Sequence, residues 1–195
     1  TGGAAYYLYK LALYQQNRGR GGAGIATYNP DNEEEILRIY KDAGLVKEAF
    51  RPDTSFFTET MKYLHAPEGI VHVRYPTAGR RTNRRLEAQP FHLRSGIPWE
   101  EFMLAVNSNM TNAEAYRDLL KRDYGYRLNT GVDTEIMMHL LDLIKHELYN
   151  EQGKKRPSFE DVLERFAQCV DGDYSIVYMD GEGDLHAFCD PLGMR

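Results

Sequence analysis

The segment that most restricts the fold of this chain is residues 69–79, where a buried strand runs directly into a flexible loop. Its first half is rich in β-branched and aromatic residues, which favour a strand. The strand must end at Pro76, which cannot donate to a strand ladder, and Gly79 then frees the backbone. Arg74 is therefore expected at the mouth of a strand, where its planar guanidinium can either receive a ligand's carboxylate or pair with a structural acid.

Length, charge and cysteine content exclude several classes of protein. A chain of 195 residues with 42% hydrophobic residues can bury a full core, and a single domain is the simplest organisation. A net charge of −5 argues against nucleic-acid binding, and no apolar run has the length of a membrane span. Cys169 and Cys189 form neither a metal-binding pattern nor a disulfide framework, so we expect a cytoplasmic protein without a metal.

Hydrophobic periodicity predicts helices and strands that alternate without the regular crossovers of a doubly wound fold. The predicted helices cover residues 4–16, 56–64, 113–124 and 136–148, and a further helix opens at Ser158. The predicted strands cover residues 23–28, 36–40, 70–75, 102–106, 174–179 and 185–188, the last two forming a hairpin.

Polar residues follow the strand predicted at 102–106. Asn107 can donate its side-chain amide and Ser108 its backbone N–H, and such a pair of donors suits the oxyanion of a tetrahedral intermediate. The alternative is that Asn107 and Asn109 merely form a turn. For Asn112 we expect a structural role, as the cap of the next helix.

Asp133 precedes the longest predicted helix, and its position permits two interpretations. Aspartate is a favoured N-cap residue, which is a sufficient structural reason for its presence. Its carboxylate could equally point out of the helix start and bind the ammonium group of a ligand.

Short motifs occur along the chain from its first helix to its last residue. They lie at residues 16–19 with 23–25, 44–46, 72–79, 107–112, 133–135 and 190–195. In this order they resemble the N-terminal glutaminase domain of the amidophosphoribosyltransferase family, a class II glutamine amidotransferase of the N-terminal-nucleophile hydrolase fold. The Tyr-Pro-Thr-Ala-Gly sequence at 75–79 favours this family over glucosamine-6-phosphate synthase, glutamate synthase and asparagine synthetase.

The resemblance implies an α+β fold, the four-layer αββα sandwich of the N-terminal-nucleophile hydrolases. It implies that residues 1–195 form one glutamine amidotransferase domain. We expect the family's first strand to lie before Thr1 and a phosphoribosyltransferase domain to follow Arg195, so that the chain is truncated at both ends.

The resemblance also assigns the binding of glutamine. Arg74 would hold the α-carboxylate and Asp133 the α-amino group, since one zwitterion presents both charges. Thr77 would bind substrate at the start of a loop, residues 77–87, that closes over glutamine and excludes water. Arginines at positions 80, 81, 84 and 85 make this loop basic, and they are best interpreted as solvated.

The catalytic roles implied by the family are those of an amide hydrolase. The Asn107 side chain and the Ser108 N–H would form the oxyanion hole, and Arg18 would support the end of the site near the nucleophile. Three positions depart from the family pattern: Asn17 and Val106 replace histidines, and Ser108 replaces a glycine. A divergent active enzyme and a degenerate one both fit these departures.

The family's nucleophile is an N-terminal cysteine whose own amino group acts as the base. A threonine can serve in related hydrolases, but Thr1 leads into a helix without room for the first strand. Cys169 is predicted to lie in a helix, and Cys189 stands where the family has arginine, so neither replaces it. We therefore expect the nucleophile to be absent and this chain to be inactive alone.

The implied function is hydrolysis of glutamine to glutamate and ammonia, which passes to phosphoribosyl diphosphate and gives phosphoribosylamine, the first step of purine synthesis. The alternatives are a glutamine-binding or regulatory domain without a nucleophile and a glutaminase that serves another acceptor. The implied partners are glutamine, the phosphoribosyltransferase domain and further copies in a homo-oligomer. No cofactor is expected in this domain, because Mg²⁺ would belong to the phosphoribosyltransferase domain.

Overall fold

The computed structural model describes residues 3–32, 34–75 and 84–194. The chain divides into two compact units. The first contains Thr1–Ala105 and Val177–His186, and the second contains Val106–Ile176 and Ala187–Arg195. No helix in the described part of the chain combines the length and apolar character that a membrane span requires.

The described elements are those of an α+β protein. The helices are α1 (Ala4–Tyr14), α2 (Val46–Phe50), α3 (Ser55–Tyr63), α4 (Arg84–Glu87), α5 (Ala113–Arg122), α6 (Asp133–Glu151) and α7 (Phe159–Cys169), with a 3₁₀ turn at Gln16–Arg18. The strands are β1 (Gly22–Tyr28), β2 (Leu37–Ala43), β3 (Glu68–Arg74), β4 (Phe91–Leu93), β5 (Phe102–Met110), β6 (Gly172–Asp180) and β7 (Leu185–Cys189). Every predicted helix and strand is confirmed, with shifted ends, whereas α2, α4 and β4 were not predicted.

The first sheet has the strand order β2-β1-β3, with β1 antiparallel to both neighbours. Side chains alternate between the two faces of a sheet, so Ala23 and Ile25 of β1 share a face with Val73 and Val71 of β3. These residues pack in one core with Tyr9 of α1 and with apolar residues of α2 and α3. This face of the first sheet therefore packs against helices α1, α2 and α3.

The other face of the first sheet carries Gly22 and Gly24 of β1 opposite Arg74 and His72 of β3. The two glycines leave room above the sheet, and the backbone of the segment after α4 fills it. A Cβ on Gly22 would lie 3.1 Å from the Cβ of Ala88, and a Cβ on Gly24 would overlap the carbonyl oxygen of Gln89. The sequence Gly-Ala-Gly therefore allows a second chain segment to lie directly on the strand.

The second sheet has the strand order β4-β5-β6-β7. In the first unit, Met103 and Ala105 of β5 and Met179 of β6 pack against apolar residues of the first sheet. In the second unit, the ring of Phe166 on α7 meets that of Tyr174 on β6 edge to face, with centroids 5.4 Å apart. Each unit therefore has its own strands and helices in contact.

Helices α7 and α5 of the second unit start at the predicted N-cap residues Ser158 and Asn112, but only Ser158 bonds to its helix through its side chain. Ser158 caps α7 as predicted, because its hydroxyl accepts from the backbone N–H of Asp161 at 3.1 Å. Asn112 occupies the N-cap position of α5, but its side chain makes no capping bond. It donates instead to the carbonyl of Cys169 and accepts from the N–H of Asp171. The predicted N-cap position and structural role of Asn112 are confirmed, although the side chain does not bond to the helix start.

Replacing Gly24 with alanine is expected to lower the free energy of unfolding by about 1–3 kcal/mol. The added Cβ would overlap the Gln89 carbonyl and lie 2.6 Å from the Cβ of Lys41, and backbone yields less readily than a side chain end. Urea denaturation of Gly24→Ala and of the native protein measures this difference. Gly96→Ala is the matched control, because a Cβ there has open space, and equal losses in both variants would contradict the prediction.

Acid is expected to destabilise the protein through His72. Burial and the charge of Arg74 lower the pKa of His72 from 6.5 to about 4, so the folded state holds it neutral. The unfolded chain binds the proton first as pH falls, and stability is lost between about pH 6.5 and 4, by about 3 kcal/mol at most. Denaturation at several pH values should show a shallower dependence for His72→Asn, but an unchanged one for the exposed control His65→Asn.

Candidate functional site

Arg74 is the last residue of β3 and is held at both its backbone and its side chain. Its carbonyl accepts from the N–H of Gly21 at 2.8 Å, and its Nη2 lies 2.7 Å from Oε2 of Glu87. Only 8% of Arg74 and 7% of Glu87 are exposed, so this is a buried ion pair. The expectation of a structural acid beside Arg74 is confirmed, and binding of a ligand carboxylate stays a prediction.

The 3₁₀ turn that carries Arg18 packs against the end of β3. A Cβ on Gly19 would lie 2.5 Å from the carbonyl oxygen of Val73, so only a glycine permits this approach. Arg18 itself is exposed, as is Asn17 beside it. The structure therefore places the predicted supporting residue, Arg18, in a turn that touches the strand of Arg74 through its backbone.

Gln16 is a residue of this region that sequence reasoning missed. Its side-chain nitrogen donates to the carbonyl of Gly19, and its Oε1 accepts from the N–H of Val46 at 2.6 Å. Val46 is the first residue of α2, so the glutamine satisfies a helix N-terminus and closes the turn at once. The sequence did offer a signal, because Gln16 and Val46 lie in two of the motifs that resemble the family, at residues 16–19 and 44–46.

Asn107 and Ser108 lie within β5, which continues to Met110. The alternative in which Asn107 and Asn109 form a turn is therefore wrong. Because neighbouring strand residues point to opposite faces, the side chains of Asn107 and Ser108 do not share a face. Asn107 is exposed and Val106, where the family has a histidine, is only 3% exposed. The oxyanion role of Asn107 and Ser108 stays a prediction.

Asp133 is brought to the end of β5 by the start of α6. Val132 is the N-cap of this helix, so the interpretation of Asp133 as the N-cap is wrong. Its Oδ2 accepts from the backbone N–H of Met110 at 3.1 Å. The structure thus brings Asp133 to the strand that also carries Asn107 and Ser108, all within the second unit.

Glu135 organises the turn that leads into α6. Its Oε1 accepts from the N–H of Asn129 at 2.7 Å, and its Oε2 accepts from both the N–H and the hydroxyl of Thr130 at 2.6 Å. Only 3% of Glu135 is exposed. A buried carboxylate needs such donors, and here it fixes the backbone immediately before Asp133.

Other predicted residues lie elsewhere or outside the described chain. Thr1 and Thr77 are outside the described residues, as are the arginines at 80 and 81. Glu87, the expected end of the closing loop, belongs to α4 and is buried. Cys169, half-buried at the end of α7, and Cys189, exposed at the end of β7, are both free thiols.

One cluster of carboxylates was not predicted. Ligand atoms of Asp180, Glu182 and Asp184 lie within 4.8 Å of one another. Oδ1 of Asp180 accepts from the N–H groups of Glu182 and Asp184, which is the geometry of a turn closed by an aspartate. The hairpin between β6 and β7 accounts for this cluster.

Solved structures define the class of this fold. A structure described as the allosteric regulatory enzyme of purine biosynthesis matches 97% of the chain with a TM-score of 0.74 and 26% identity, over 36% of that enzyme's chain. The glutamine phosphoribosylpyrophosphate amidotransferase of B. subtilis, complexed with ADP and GMP, matches 98% of the chain with a TM-score of 0.71. The chain has the N-terminal-nucleophile hydrolase fold of the glutamine domain in these enzymes, which confirms the predicted fold class.

Sequence comparison finds relatives that are named as one particular enzyme. The amidophosphoribosyltransferases of Pseudomonas aeruginosa and Escherichia coli are 35% and 34% identical over 96% of this chain. The chloroplastic amidophosphoribosyltransferase 1 of Arabidopsis thaliana is 33% identical over 95%. The chain is homologous to the N-terminal region of these enzymes and spans 28–34% of their length. No protein-family model matches it.

Replacing Glu135 with glutamine is expected to lower the free energy of unfolding by about 1–3 kcal/mol. The amide NH₂ would face donors of Asn129 or Thr130, because one of the two accepting oxygens is lost. Thermal and urea denaturation measure the change. Glu164→Gln, an exposed position of α7, is the control, and equal stability of the two variants would show that the bonds to Glu135 contribute little.

Proposed function

We propose that this chain is the glutamine-binding, glutaminase part of an amidophosphoribosyltransferase. In this reaction the glutamine amide is hydrolysed to glutamate and ammonia, and the ammonia passes to phosphoribosyl diphosphate to give phosphoribosylamine. The observation that carries the proposal is identity of 33–35% with such enzymes over at least 95% of the chain. The relatives are enzymes of purine biosynthesis, which supports enzymatic descent.

The proposed contacts with glutamine rest on the family resemblance and on the charge of each side chain. Arg74 receives the α-carboxylate, because a guanidinium presents a planar fork of donors that matches two carboxylate oxygens. Asp133 receives the α-ammonium group. Its carboxylate accepts a hydrogen bond from the N–H of Met110 and can accept further ones, because a carboxylate has two oxygens with about four acceptor sites. Thr77, three positions after Arg74, binds substrate as well. Asn107 and Ser108 stabilise the oxyanion, and Arg18 helps to organise the end of the site near the nucleophile.

The hydrolytic step needs a nucleophile, which the family supplies as an N-terminal cysteine. Cys169 closes a helix and Cys189 ends a strand, and neither position provides the adjacent α-amino group that acts as the base. We therefore propose that this chain alone binds glutamine and does not turn it over. The second candidate function is a regulatory glutamine-binding domain, and it shares this prediction. The two candidates differ only in whether a longer protein that contains this chain hydrolyses glutamine.

The rest of the proposed reaction belongs to the longer protein. The relatives are about three times the length of this chain, which supports a phosphoribosyltransferase domain as the partner that accepts ammonia. Any Mg²⁺ would act in that domain. We also propose a homo-oligomer in the cytoplasm, although the Arabidopsis relative is named chloroplastic. A different acceptor would be revealed by ammonia transfer to another substrate in the full-length protein.

Titration calorimetry with L-glutamine tests the proposal on the chain itself, and Asp133→Asn is the decisive variant. An asparagine oxygen can still accept from the N–H of Met110, so stability should change by less than about 0.5 kcal/mol. Loss of the charge should weaken glutamine binding by about ten- to a hundredfold.

The matched control is Asp118→Asn on α5, whose side chain is 58% exposed and which should bind glutamine as the native chain does. Absence of glutamine binding by the native chain would overturn the proposed function. Equal affinity of the native chain and Asp133→Asn would remove Asp133 from the site.

A further inference from the structure

The buried partner of Arg74 suggests a role that the proposed binding of glutamine leaves open. We propose that Glu87 is a positioning residue, which holds the Arg74 guanidinium in the orientation that receives the substrate carboxylate. The inference rests on the proposed function, because it concerns how Arg74 meets glutamine. It goes further in assigning specific recognition of the carboxylate to a pair of residues, one at a strand end and one on a short helix.

The first support is that Glu87 is anchored to the sheet independently of Arg74. The residue after it, Ala88, is fully buried and lies against Gly22, and Gln89 lies against Gly24. On the other side of Glu87, the carbonyl of Leu86 accepts from Nζ of Lys41 at 3.3 Å. Glu87 is therefore fixed on both sides along the chain, and its carboxylate has little freedom to follow the arginine.

The second support is the register of the first sheet. Arg74 is paired with Gly22, so its side chain leaves the sheet on the face where the segment after α4 lies. An arginine side chain has several rotatable bonds and loses rotamer entropy when it is held in one orientation. A carboxylate fixed 2.7 Å from Nη2 selects one orientation before a ligand arrives, which is what preorganisation requires.

The third support is the charge on this face. Lys41 and His72 are both paired with Gly24 across the first sheet, so they share the face with Arg74. His72 is kept neutral, since burial and Arg74 lower its pKa to about 4. Glu87 balances the buried charge of Arg74, while a guanidinium has five N–H donors and is not exhausted by one carboxylate. The Arg74–Glu87 pair is neutral, so the positive charge that balances a substrate carboxylate on this face is that of Lys41.

The test compares binding of two ligands to Glu87→Gln, Glu87→Asp and the native chain by NMR titration. L-Glutamine carries the α-carboxylate, and L-glutaminamide carries a neutral amide in its place. Glu87→Gln is expected to weaken glutamine binding about tenfold and glutaminamide binding less than about twofold. Glu87→Asp keeps the charge on a shorter side chain, and partial recovery of glutamine affinity is expected.

Glu101→Gln is the matched control, because Glu101 also pairs within the first unit, with Nε2 of His92 at 2.6 Å, and no role in binding is assigned to it. It should bind both ligands as the native chain does. If Glu87→Gln does not fold, the comparison of Glu87→Asp with the native chain replaces it, with weaker glutamine binding and unchanged glutaminamide binding expected.

Three results would overturn the proposal. Unchanged or tighter glutamine binding by a folded Glu87 variant would show that the carboxylate is neutral or competes with substrate. Equal weakening for both ligands would show a merely structural role. Failure of the native chain to bind glutamine would remove the proposed function and this inference with it, and that outcome is distinct from the first two.

Discussion

The close approach of a second chain segment to β1 is the constraint on which the Arg74 region depends. Gly22 and Gly24 have no side chains above the sheet, so Ala88 and Gln89 can lie directly on the strand. This contact places Glu87 beside Arg74 at the end of β3. A buried arginine without such a partner would be costly, so two glycines in one strand indirectly permit a buried cation in its neighbour.

The periodic parts of the fold could be predicted from the sequence, whereas the short connections could not. Strands such as β1 and the long helix α6 have enough apolar residues at regular spacing to be recognised. The elements α2, α4 and β4 have only three to five residues each, and tertiary contacts decide their conformation. The strand β5 was predicted too short because its polar end, from Asn107, has the composition of a turn.

In the candidate site, the sequence indicated which residues to single out but not which partners they contact. Arg74 and Asp133 could be singled out because a charged residue at an element boundary needs a reason. Their partners could not be predicted, since Glu87 is thirteen positions from Arg74 and Met110 is twenty-three positions from Asp133. Single-residue capping rules failed for Asp133 because a distant backbone N–H competes with the helix start for the same carboxylate.

The two hydrogen bonds of Gln16 have an evolutionary consequence. The side chain must donate to the carbonyl of Gly19 and accept from the N–H of Val46, and these requirements act at once. Glutamate could accept but not donate, lysine could donate but not accept, and asparagine is one carbon shorter. Substitution of Gln16 should therefore be tolerated only together with compensating changes in the 3₁₀ turn or at the start of α2. Gln16, this turn and the start of α2 should then vary together among related sequences.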